Sequence, residues 1–469
     1  MKTAWTYIVL MAVIFSTTAV IAKEAVKEKK VDSVKDSAKP FLEMTDLFQN
    51  GKAGYSMYHI PGIAVTAKGT VLAWCEARKS NSDWAKMDIL LRRSTDNGLT
   101  YGEPIMIGHI DGPHTRNSIN TKGLRVTTDN PTYNIEFRVS NVNAAWPAEP
   151  RETGFFGPGL SYIGFAKLNN PVLIPDRDGT VHGLFCIEYC RAYYLRSDDD
   201  GVTWSKPVEI TSAFEKFRSE YDWQVIATGP NHGIQLKNGR LVVPVWLSTS
   251  QKSPHHPSVA AVIFSDDGGK TWQAGDIAVP CTAEWQDPSE TVAVELSDGR
   301  VMLNVRNTGG KKRLVTISPN GATNWSKPRF DDMLPGTVCM AGLVRYPSKL
   351  DNGPVRLLFS LPTNQRRNLR IFMSSDDGQT WPLSRMLWGA GAAYSDLAVA
   401  ADGTIFCFFG RGLNDKHTWG GDRLTLARFN MAWLLEGEPQ GEYRLPKVAE
   451  DQIFGASEDG KSKPQGENK

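Results

Sequence analysis

The sequence has little excess charge of either sign, and this shortage excludes two classes of partner. Its 469 residues include 22% charged residues with a formal net charge of +2, so no basic surface for nucleic acid and no polybasic membrane patch is indicated. Glycine-rich phosphate loops and the nucleophile elbow of Ser-His-Asp hydrolases are also absent. The sequence is rich instead in glycine (42), proline (27) and tryptophan (14), which is typical of many short strands joined by tight turns.

The six cysteines are too few and too scattered for a metal site or a disulfide framework. Cys186 and Cys190 lie four residues apart in a strand-like stretch, roughly 13 Å at ~3.3 Å per residue, which is too far for a disulfide. The other four stand singly among apolar neighbours: Cys75, Cys281, Cys339 and Cys407. We therefore predict buried, unpaired thiols and no metal.

The chain has one long apolar run, at its start. Residues 1–22 combine Lys2, an apolar run from Tyr7 to Phe15 and small residues ending at Ala22, the pattern of an export signal. A retained anchor is the alternative, and the lack of a cysteine after the run argues against a lipoprotein. We expect a secreted or periplasmic protein with no stable membrane insertion once the signal is removed.

Two charged segments flank a single continuous domain. Residues 23–40 and 450–469 have this character, and we expect both to be a disordered linker and tail. The segment 41–449 contains no low-complexity break, so it is predicted to form one domain. The sequence leaves the oligomeric state open.

An internal repeat runs through this domain. The pattern Ser-x-Asp-x-Gly-x-Thr-aromatic occurs at residues 94–101, 197–204, 265–272 and 374–381, with a decayed copy at 318–325. The aspartate and glycine favour a hairpin turn in which the carboxylate accepts backbone N–H groups and the aromatic side chain packs between sheets. Such a repeat predicts a β-propeller, and we assign the turns to structure because they recur in every sheet.

One turn combines small residues with a tyrosine. Residues 391–397 read Gly-Ala-Ala-Tyr-Ser-Asp-Leu, which leaves room for a molecule to approach the hydroxyl of Tyr394; a tyrosine that only caps a strand is the alternative. Together with the repeated turns, known as Asp-boxes, this sequence resembles the sialidase (exo-α-neuraminidase) family from Tyr58 to Phe409. The resemblance implies an all-β fold, a six-bladed propeller with Asp-box hairpins, and Tyr394 as nucleophile.

The resemblance also implies a base. A neutral phenol approaches an anomeric carbon that bears a carboxylate without charge repulsion, and a base activates it; sialidases are thus an exception to the two-carboxylate rule for glycosidases. The segment 288–300 is similar to the family's glutamate strand, which places Glu290 beside the phenol. Strand alternation puts Glu290 on the side of Val292 and Val294, facing the pocket.

Two arginines match the family's carboxylate-binding positions. Arg306 stands within an apolar strand, where its charge must be paired or face a ligand. The other match is Arg366, with Arg367 as the alternative after a one-residue slip. Guanidinium forks suit a planar carboxylate.

The acid is expected in the loop after the first strands. Residues 76–88 are similar to the family's arginine-then-aspartate loop, with Asp83 at the position of the catalytic acid and Arg78 near the acid or the sugar. Trp84 beside Asp83 is expected to exclude water, which suits an acid that must hold its proton.

The sequence departs from the family at one corner. His59 stands where the family has its first carboxylate-binding arginine, and Phe409-Gly410 stands where it has a Tyr-Glu pair whose glutamate holds that arginine. Either His59 binds the carboxylate when protonated at mildly acid pH, or it stays neutral and donates one hydrogen bond; alternatively the substrate is another ulosonic acid. Arg411 is a further candidate for the gap.

A loop at residues 228–235 resembles one that enters the sialidase pocket. Asn231, His232 and Gln235 are candidates for contacts to substrate hydroxyls. His255 and His256, between prolines, are expected in an exposed loop rather than a metal site.

The sequence therefore predicts a retaining exo-glycosidase that removes sialic acid or a related 2-keto-3-deoxy acid sugar from an acidic glycan, without a metal or other cofactor. A decayed pocket is the alternative for the His59 corner. Two other functions stay open: a non-catalytic propeller that binds acidic glycans, and a propeller enzyme that acts on uronic-acid polysaccharides.

Overall fold

The computed structural model describes residues 39–456, with gaps at 84, 111–112, 116–162, 166, 311, 351–353, 414–419 and 439–442. The predicted export signal (1–22) and nearly all of the predicted linker (23–40) lie outside the described residues. Strands dominate the described part, where helical structure is limited to the 3₁₀ helices Thr211–Ser219 and Ser348–Leu350 and the α-helix α1, Met431–Leu435. The predicted all-β class is confirmed. Within these residues no helix has the length and apolar character needed to cross a membrane.

The first two sheets come from the first half of the chain, after β1 (Leu42–Gln49). The first sheet has the order β2 (Met57–Val65), β3 (Val71–Arg78), β4 (Met87–Ser94) and β5 (Ile105–Gly108). A separate pair is formed by β6 (Pro113–Thr115) and β7 (Ile163–Phe165). The second sheet contains β8 (Leu168–Pro175), β9 (Val181–Ile187), β10 (Arg191–Ser197) and β11 (Val208–Glu209).

The next two sheets follow in chain order. The third contains β12 (Val225–Thr228), β15 (Leu241–Ser253), β16 (His256–Ser265) and β17 (Gln273–Val279). Before β15 the chain makes β13 (Asn231–His232), which pairs in parallel with β8 of the second sheet, and β14 (Ile234–Gln235), which pairs with β15. The fourth contains β18 (Pro288–Glu295), β19 (Val301–Asn307), β20 (Leu314–Ser318) and β21 (Arg329–Phe330).

The last sheet has seven strands and includes the first and the last of the described strands. Its order is β1, β27 (Arg423–Phe429), β26 (Ile405–Arg411), β25 (Leu383–Val399), β24 (Arg367–Ser374), β23 (Arg356–Pro362) and β22 (Gly342–Tyr346). The long strand β25 joins two groups: residues 383–391 pair with β24, and residues 392–399 pair with β26.

The sheets form a closed, propeller-like ring. Consecutive sheets contact one another through the strand pairs β2–β8, β8–β12, β15–β18 and β18–β22, and β25 contacts β2 to complete the circle. The described residues form five continuous sheets of four or more strands. This is one fewer than the predicted six blades, because β25 runs through two groups of strands. Hydrophobic clusters fill the spaces within and between neighbouring sheets, with completely buried strands such as β3 at their centre.

The four repeated turns share one hydrogen-bond pattern. In the third copy Ser265 Oγ donates to Asp267 Oδ1 at 2.8 Å, Gly269 N donates to Ser265 Oγ at 2.9 Å, and Thr271 N donates to Asp267 Oδ1 at 2.9 Å. The bonds from Thr271 hold the pKa of Asp267 down to about 2. The terminal aromatic side chains are 4–8% exposed, at Tyr101, Trp204, Trp272 and Trp381. Each turn therefore fixes one aromatic residue in a core cluster, as predicted.

All six cysteines are free, which confirms the prediction of unpaired thiols. Cys75, Cys186, Cys339 and Cys407 are buried, whereas Cys190 and Cys281 are only half-buried.

The folded chain continues past the boundary predicted at residue 449. Ala449 N donates to Met44 O at 2.9 Å, and Phe454 N donates to Leu47 O at 3.0 Å. The ring of Phe454 lies edge-on to Phe48, with centroids 6.3 Å apart. Residues 450–456 therefore belong to the packed domain, because an aromatic side chain anchors them beside β1.

Replacing Phe454 by Ala should destabilise the fold by roughly 3 kcal/mol, since a buried aromatic ring is removed from the core. Leu445→Ala is the matched control, because Leu445 is 50% exposed and should change stability by less than about 0.5 kcal/mol. Denaturant unfolding of both variants checks this. Equal midpoints for Phe454→Ala and the unmodified protein would contradict the packing described here.

Candidate active site

One polar pocket lies at the centre of the ring of sheets. It is lined by His59, Ile60, Arg78, Asp83, Asn170, Tyr189, Trp246, His255, His256, Ser289, Glu290, Arg306, Thr308, Arg366 and Tyr394. Seven of the ten residues predicted for the site are in this set, so the fold brings them together from positions more than 300 residues apart.

Tyr394 reaches the pocket at an irregularity of β25. The register between β25 and β26 shifts between Ala392 and Ser395, and Tyr394 is 6% exposed. Its small neighbours Ala392 and Ala393 are buried against the core. A bulge of this kind turns a side chain away from regular alternation, so it directs the phenol towards the pocket.

The phenol of Tyr394 forms a hydrogen-bonded group with Glu290 and Arg306. Tyr394 Oη donates to Glu290 Oε1 at 2.5 Å. Arg306 Nη1 donates to Tyr394 Oη at 2.7 Å and forms an ion pair with Glu290 Oε2. One carboxylate thus accepts a hydrogen bond from the phenol and also balances the charge of the arginine.

Burial controls the protonation of this group. It raises the pKa of Tyr394 well above its usual value; Arg306 and Arg366 oppose this rise, and Glu290 adds to it. Burial would lower the pKa of Arg306, but Glu290 and Tyr394 raise it above its usual value. The resting tyrosine is therefore neutral, and its proton has an acceptor at hydrogen-bond distance.

Arg366 and His59 both lie close to the ring of Tyr394. The guanidinium carbon of Arg366 lies 5.2 Å from the ring centroid of Tyr394, and Arg366 Nη2 donates to Val338 O at 3.3 Å. Arg366, rather than the neighbouring Arg367, lines the pocket. The imidazole of His59 lies 4.7 Å from Tyr394, centroid to centroid.

The structure bears on the charge of His59. Burial lowers the pKa of His59 well below its usual value, and the positive charges of Arg78, Arg366 and Arg306 lower it further. The imidazole is therefore neutral at mildly acid as well as neutral pH. Of the two alternatives for the charge of His59, these shifts favour the neutral imidazole.

Tight backbone packing surrounds the corner next to His59. An ideal Cβ at Gly410 would lie 2.6 Å from Gly420 O and 2.9 Å from Ala393 Cβ. No side chain fits there, so a glutamate at this position is excluded by space. Arg411 does not fill the gap, because its guanidinium binds Asp46.

Asp83 is held at the rim of the pocket by Arg78. Arg78 Nη1 donates to Asp83 Oδ1 at 2.8 Å, and the Asp83 side chain is 33% exposed. The other side of the guanidinium contacts Glu76 Oε2, at 2.8 Å from Nε and 2.6 Å from Nη2. Trp84, which was predicted to exclude water from Asp83, lies outside the described residues.

Asn231, His232 and Gln235 are not among the residues that line the described pocket, and their contact with substrate stays a prediction. Asn231 is buried and donates to the carbonyls of Ala341 and Ser395. Gln235 accepts from Arg177 N at 3.1 Å. The short strand β13 turns this loop into the sheet interface, where these side chains hold neighbouring sheets together.

Eight residues of the pocket wall were not predicted for the site, and four of them carry rings: Tyr189, Trp246, His255 and His256. Tyr189 follows Glu188 in a turn where both have positive φ, 52° and 54°, a conformation for which neither residue type gives a signal. Trp246 lies in an apolar strand and reads as core. His255 and His256 lie at the hairpin between β15 and β16 and line the pocket, contrary to the expected exposed loop.

The rings of Tyr189, Trp246 and His255 form one wall, in which His255 makes T-shaped contacts with the other two. His255 lies 5.2 Å from both Tyr189 and Trp246, centroid to centroid. Burial, aided by Lys167 and His256, lowers the pKa of His255 to about 4. Among the described residues no group of three or more His, Cys, Asp or Glu side chains is arranged to hold a metal ion.

Comparisons with known proteins give one consistent result. The family described as a BNR repeat-like domain matches residues 164–407, just over half of the chain. A sialidase of Micromonospora viridifaciens is 30% identical over 432 residues, which are 89% of this chain and 58% of that protein. A sialidase of Bacteroides fragilis is 30% identical over 372 residues, 76% of this chain and 60% of its own. The chain thus spans about three fifths of these two relatives.

Solved structures share the fold. A Hadza microbial sialidase superposes with a TM-score of 0.63 at 22% identity, over 83% of this chain and 69% of that one. The intramolecular trans-sialidase of Ruminococcus gnavus superposes with a TM-score of 0.60 at 18% identity, over 83% of this chain and 98% of that one. The propeller arrangement is therefore shared with both.

The His232–Asp396 pair should make stability depend on pH. His232 Nδ1 lies 2.8 Å from Asp396 Oδ1; burial would lower the pKa of His232, but the Asp396 charge and hydrogen bond raise it. This stabilisation is present below the unfolded-state value of about 6.5 and is lost as the pH rises through the higher folded-state value. His232→Gln should therefore cost roughly 1.5–3 kcal/mol at pH 5.5 and less at pH 9.

Thermal unfolding from pH 5 to 9 measures this difference, and His182→Gln is the matched control. Burial lowers the pKa of His182, so protonation opposes its folded state and the cost of this substitution should shrink towards acid pH. A His232→Gln penalty that is constant or grows with pH would contradict the pairing.

Proposed function

Because the chain belongs to the BNR repeat-like domain family and is similar to sialidases over most of its length, we propose that it is a retaining exo-α-sialidase. It would remove a terminal sialic acid, or a related 2-keto-3-deoxy acid sugar, from a glycan. Its relatives include the sialidase of Micromonospora viridifaciens and the exo-alpha-sialidase of Aspergillus fumigatus, which is 25% identical and of which this chain covers 93%.

The observation that carries this proposal is the contact between Tyr394 and Glu290. A phenol whose oxygen lies 2.5 Å from a carboxylate oxygen is a nucleophile with its base in place. Arg306 contacts both groups and stabilises the charge that moves between them. A tyrosine used only in packing does not need a buried carboxylate and an arginine at its hydroxyl.

The proposed reaction has two steps. Tyr394 attacks the anomeric carbon while its proton passes to Glu290, and Asp83 protonates the departing glycosidic oxygen as that bond breaks. Asp83 then takes a proton from water, which attacks the same carbon, and Glu290 returns the proton to Tyr394 as the tyrosyl bond breaks. Two inversions at one carbon give net retention of configuration.

The substrate carboxylate is proposed to bind Arg306, in β19, and Arg366, in the turn before β24, which both lie close to Tyr394. Neutral His59 supplies a hydrogen bond at the third position in place of a third cation. Arg78, buried behind Asp83, supports the acid side of the pocket. Every proton in this scheme moves between side chains, substrate and water.

Two further predictions concern architecture and location. We propose that the propeller has six blades, the seven-stranded sheet providing two of them that share β25; the division of pairing along β25 at residues 391 and 392 supports this. Export to the periplasm or the medium stays a prediction from residues 1–22.

Replacing Tyr394 by Phe removes the nucleophilic oxygen and keeps the ring. Hydrolysis of an α-linked aryl ketoside of N-acetylneuraminic acid should fall by at least ~100-fold, the lower end of what positioned acid–base help contributes. Tyr443→Phe is the matched control, because its hydroxyl only donates to Leu387 O at 2.9 Å, outside the pocket. Full activity of Tyr394→Phe would exclude the proposed nucleophile.

The unmodified enzyme and Tyr394→Phe also test for the covalent tyrosyl intermediate. A 3-fluoro derivative of the sugar with fluoride as leaving group should add its glycosyl mass to Tyr394 of the unmodified enzyme and to no residue of Tyr394→Phe, as measured by peptide mass spectrometry. A glycan-binding protein without turnover would bind the sugar and show no adduct in either.

Replacing His59 by Arg should not restore a third carboxylate-binding arginine. The new cation would be buried beside Arg78, Arg306 and Arg366, and Gly410 leaves no space for a supporting acid. We expect a loss of about 3 kcal/mol or more, as for an uncompensated buried charge, together with lower kcat/KM. His59→Gln, which adds no charge, should stay folded. A stable His59→Arg variant with raised kcat/KM would show that this corner accepts an arginine.

A further inference from the structure

Arg78 lies between two carboxylates of unequal exposure. Its Nε and Nη2 contact Glu76 Oε2 at 2.8 Å and 2.6 Å, whereas Nη1 contacts Asp83 Oδ1 at 2.8 Å. Glu76 is fully buried, while the Asp83 side chain is 33% exposed at the pocket rim. The guanidinium thus has two contacts to a buried partner and one to the predicted acid.

Glu76 is fixed from its other side as well. Its Oε1 accepts a hydrogen bond from Asn170 N at 2.6 Å, and Asn170 belongs to the neighbouring sheet, where the register between β8 and β9 shifts. A carboxylate held by a backbone N–H and a guanidinium has little freedom to rotate. The position of Arg78 therefore follows from contacts across two sheets.

The other groups facing Asp83 leave Arg78 as its principal charged partner. Burial raises the pKa of Tyr189, an increase to which Asp83 contributes, and burial lowers the pKa of His255 to about 4, so both are neutral near pH 7. Lys167 lies over the Tyr189 ring, and its charge is matched by Glu188 at 3.7 Å.

We propose that Glu76 is a positioning residue for the acid: through Arg78 it fixes the orientation of Asp83 and balances the guanidinium charge, so that Asp83 can carry a proton. This inference rests on the proposed function. Without the Glu76 charge, Arg78 would present its full positive charge to Asp83 alone, which favours the ionised carboxylate. The acid would then give up its proton at lower pH.

The substitution Glu76→Gln keeps the shape and removes the charge. Hydrolysis of an α-linked sialyl-lactose needs a protonated acid because lactose is a poor leaving group, whereas a 4-nitrophenyl ketoside needs little acid help. For the lactose substrate we expect the basic limb of the kcat/KM profile to move about one pH unit towards acid, and activity above that limb to fall about tenfold. The nitrophenyl substrate should change less than about threefold.

Two further variants make the result specific to the charge. In the Asp83→Asn variant, adding Glu76→Gln should not change the ratio of the kcat/KM values for the two substrates any further. The double variant Glu76→Gln/Arg78→Gln removes both charges, so it buries no uncompensated cation and keeps the test valid if Glu76→Gln does not fold. Its basic limb should lie at or above that of the unmodified enzyme.

Asp46→Asn is the matched control, because Asp46 is also a buried carboxylate that binds arginine but lies outside the pocket. It should lower thermal stability without moving the pH profile. Equal losses on both substrates, an unmoved limb in folded Glu76→Gln, or an acid shift in the double variant would overturn the inference. If the unmodified enzyme hydrolyses neither substrate, the proposed function fails, and this inference with it.

Discussion

The closure of this fold depends on one buried carboxylate. Asp46, in β1, accepts hydrogen bonds at 2.6 Å from both Arg411 Nη2 and Arg423 Nη1, and at 2.5 Å from Thr425 Oγ1. These three donors lie on β26 and β27, which follow β1 by more than 350 residues in the sequence. Because a buried charge that loses its partner costs several kcal/mol, pairing these charges and closing the ring are coupled. Arg411 is therefore a residue of this seam and not of the pocket.

The closed ring explains how separate strands supply one pocket. Regular antiparallel pairs place side chains alternately on two faces, and this does not direct them along the central axis. At the pocket the pairing is irregular instead, and such bulges re-aim side chains. Register shifts occur between His59 and Gly62, Asn169 and Val172, Pro288 and Thr291, Arg367 and Leu369, and Ala392 and Ser395. Each lies beside or includes a residue of the pocket wall.

Sequence reasoning found the charged residues of the site better than its walls. Arg306 was predictable because a charged side chain in an apolar strand must have a partner. Glu290 was predictable from the resemblance of its strand to the family's glutamate strand, and Tyr394 because small residues clear the space before it. Tyr189 and Trp246 were not, since a buried aromatic looks the same in a core and in a pocket wall. Asn231 was expected in the pocket because polar residues in a loop usually face solvent or a ligand. In the structure β13 pairs in parallel with β8, and this pairing buries Asn231 outside the described pocket lining. The all-β class followed from the repeated turns, but the sharing of β25 by two groups of strands depends on contacts between distant residues.

The pairing of the chain's two ends also constrains the order of folding. The contacts of Asp46 join residues 365 to 379 positions apart, whereas each repeated turn links strands that are neighbours in sequence. Closing so long a loop costs more entropy than closing a hairpin, and such non-local contacts slow folding. During synthesis β27 emerges last among the strands, and Tyr394 lies only two strands away from it in the same sheet. A nascent chain therefore carries finished hairpins before it carries a finished pocket.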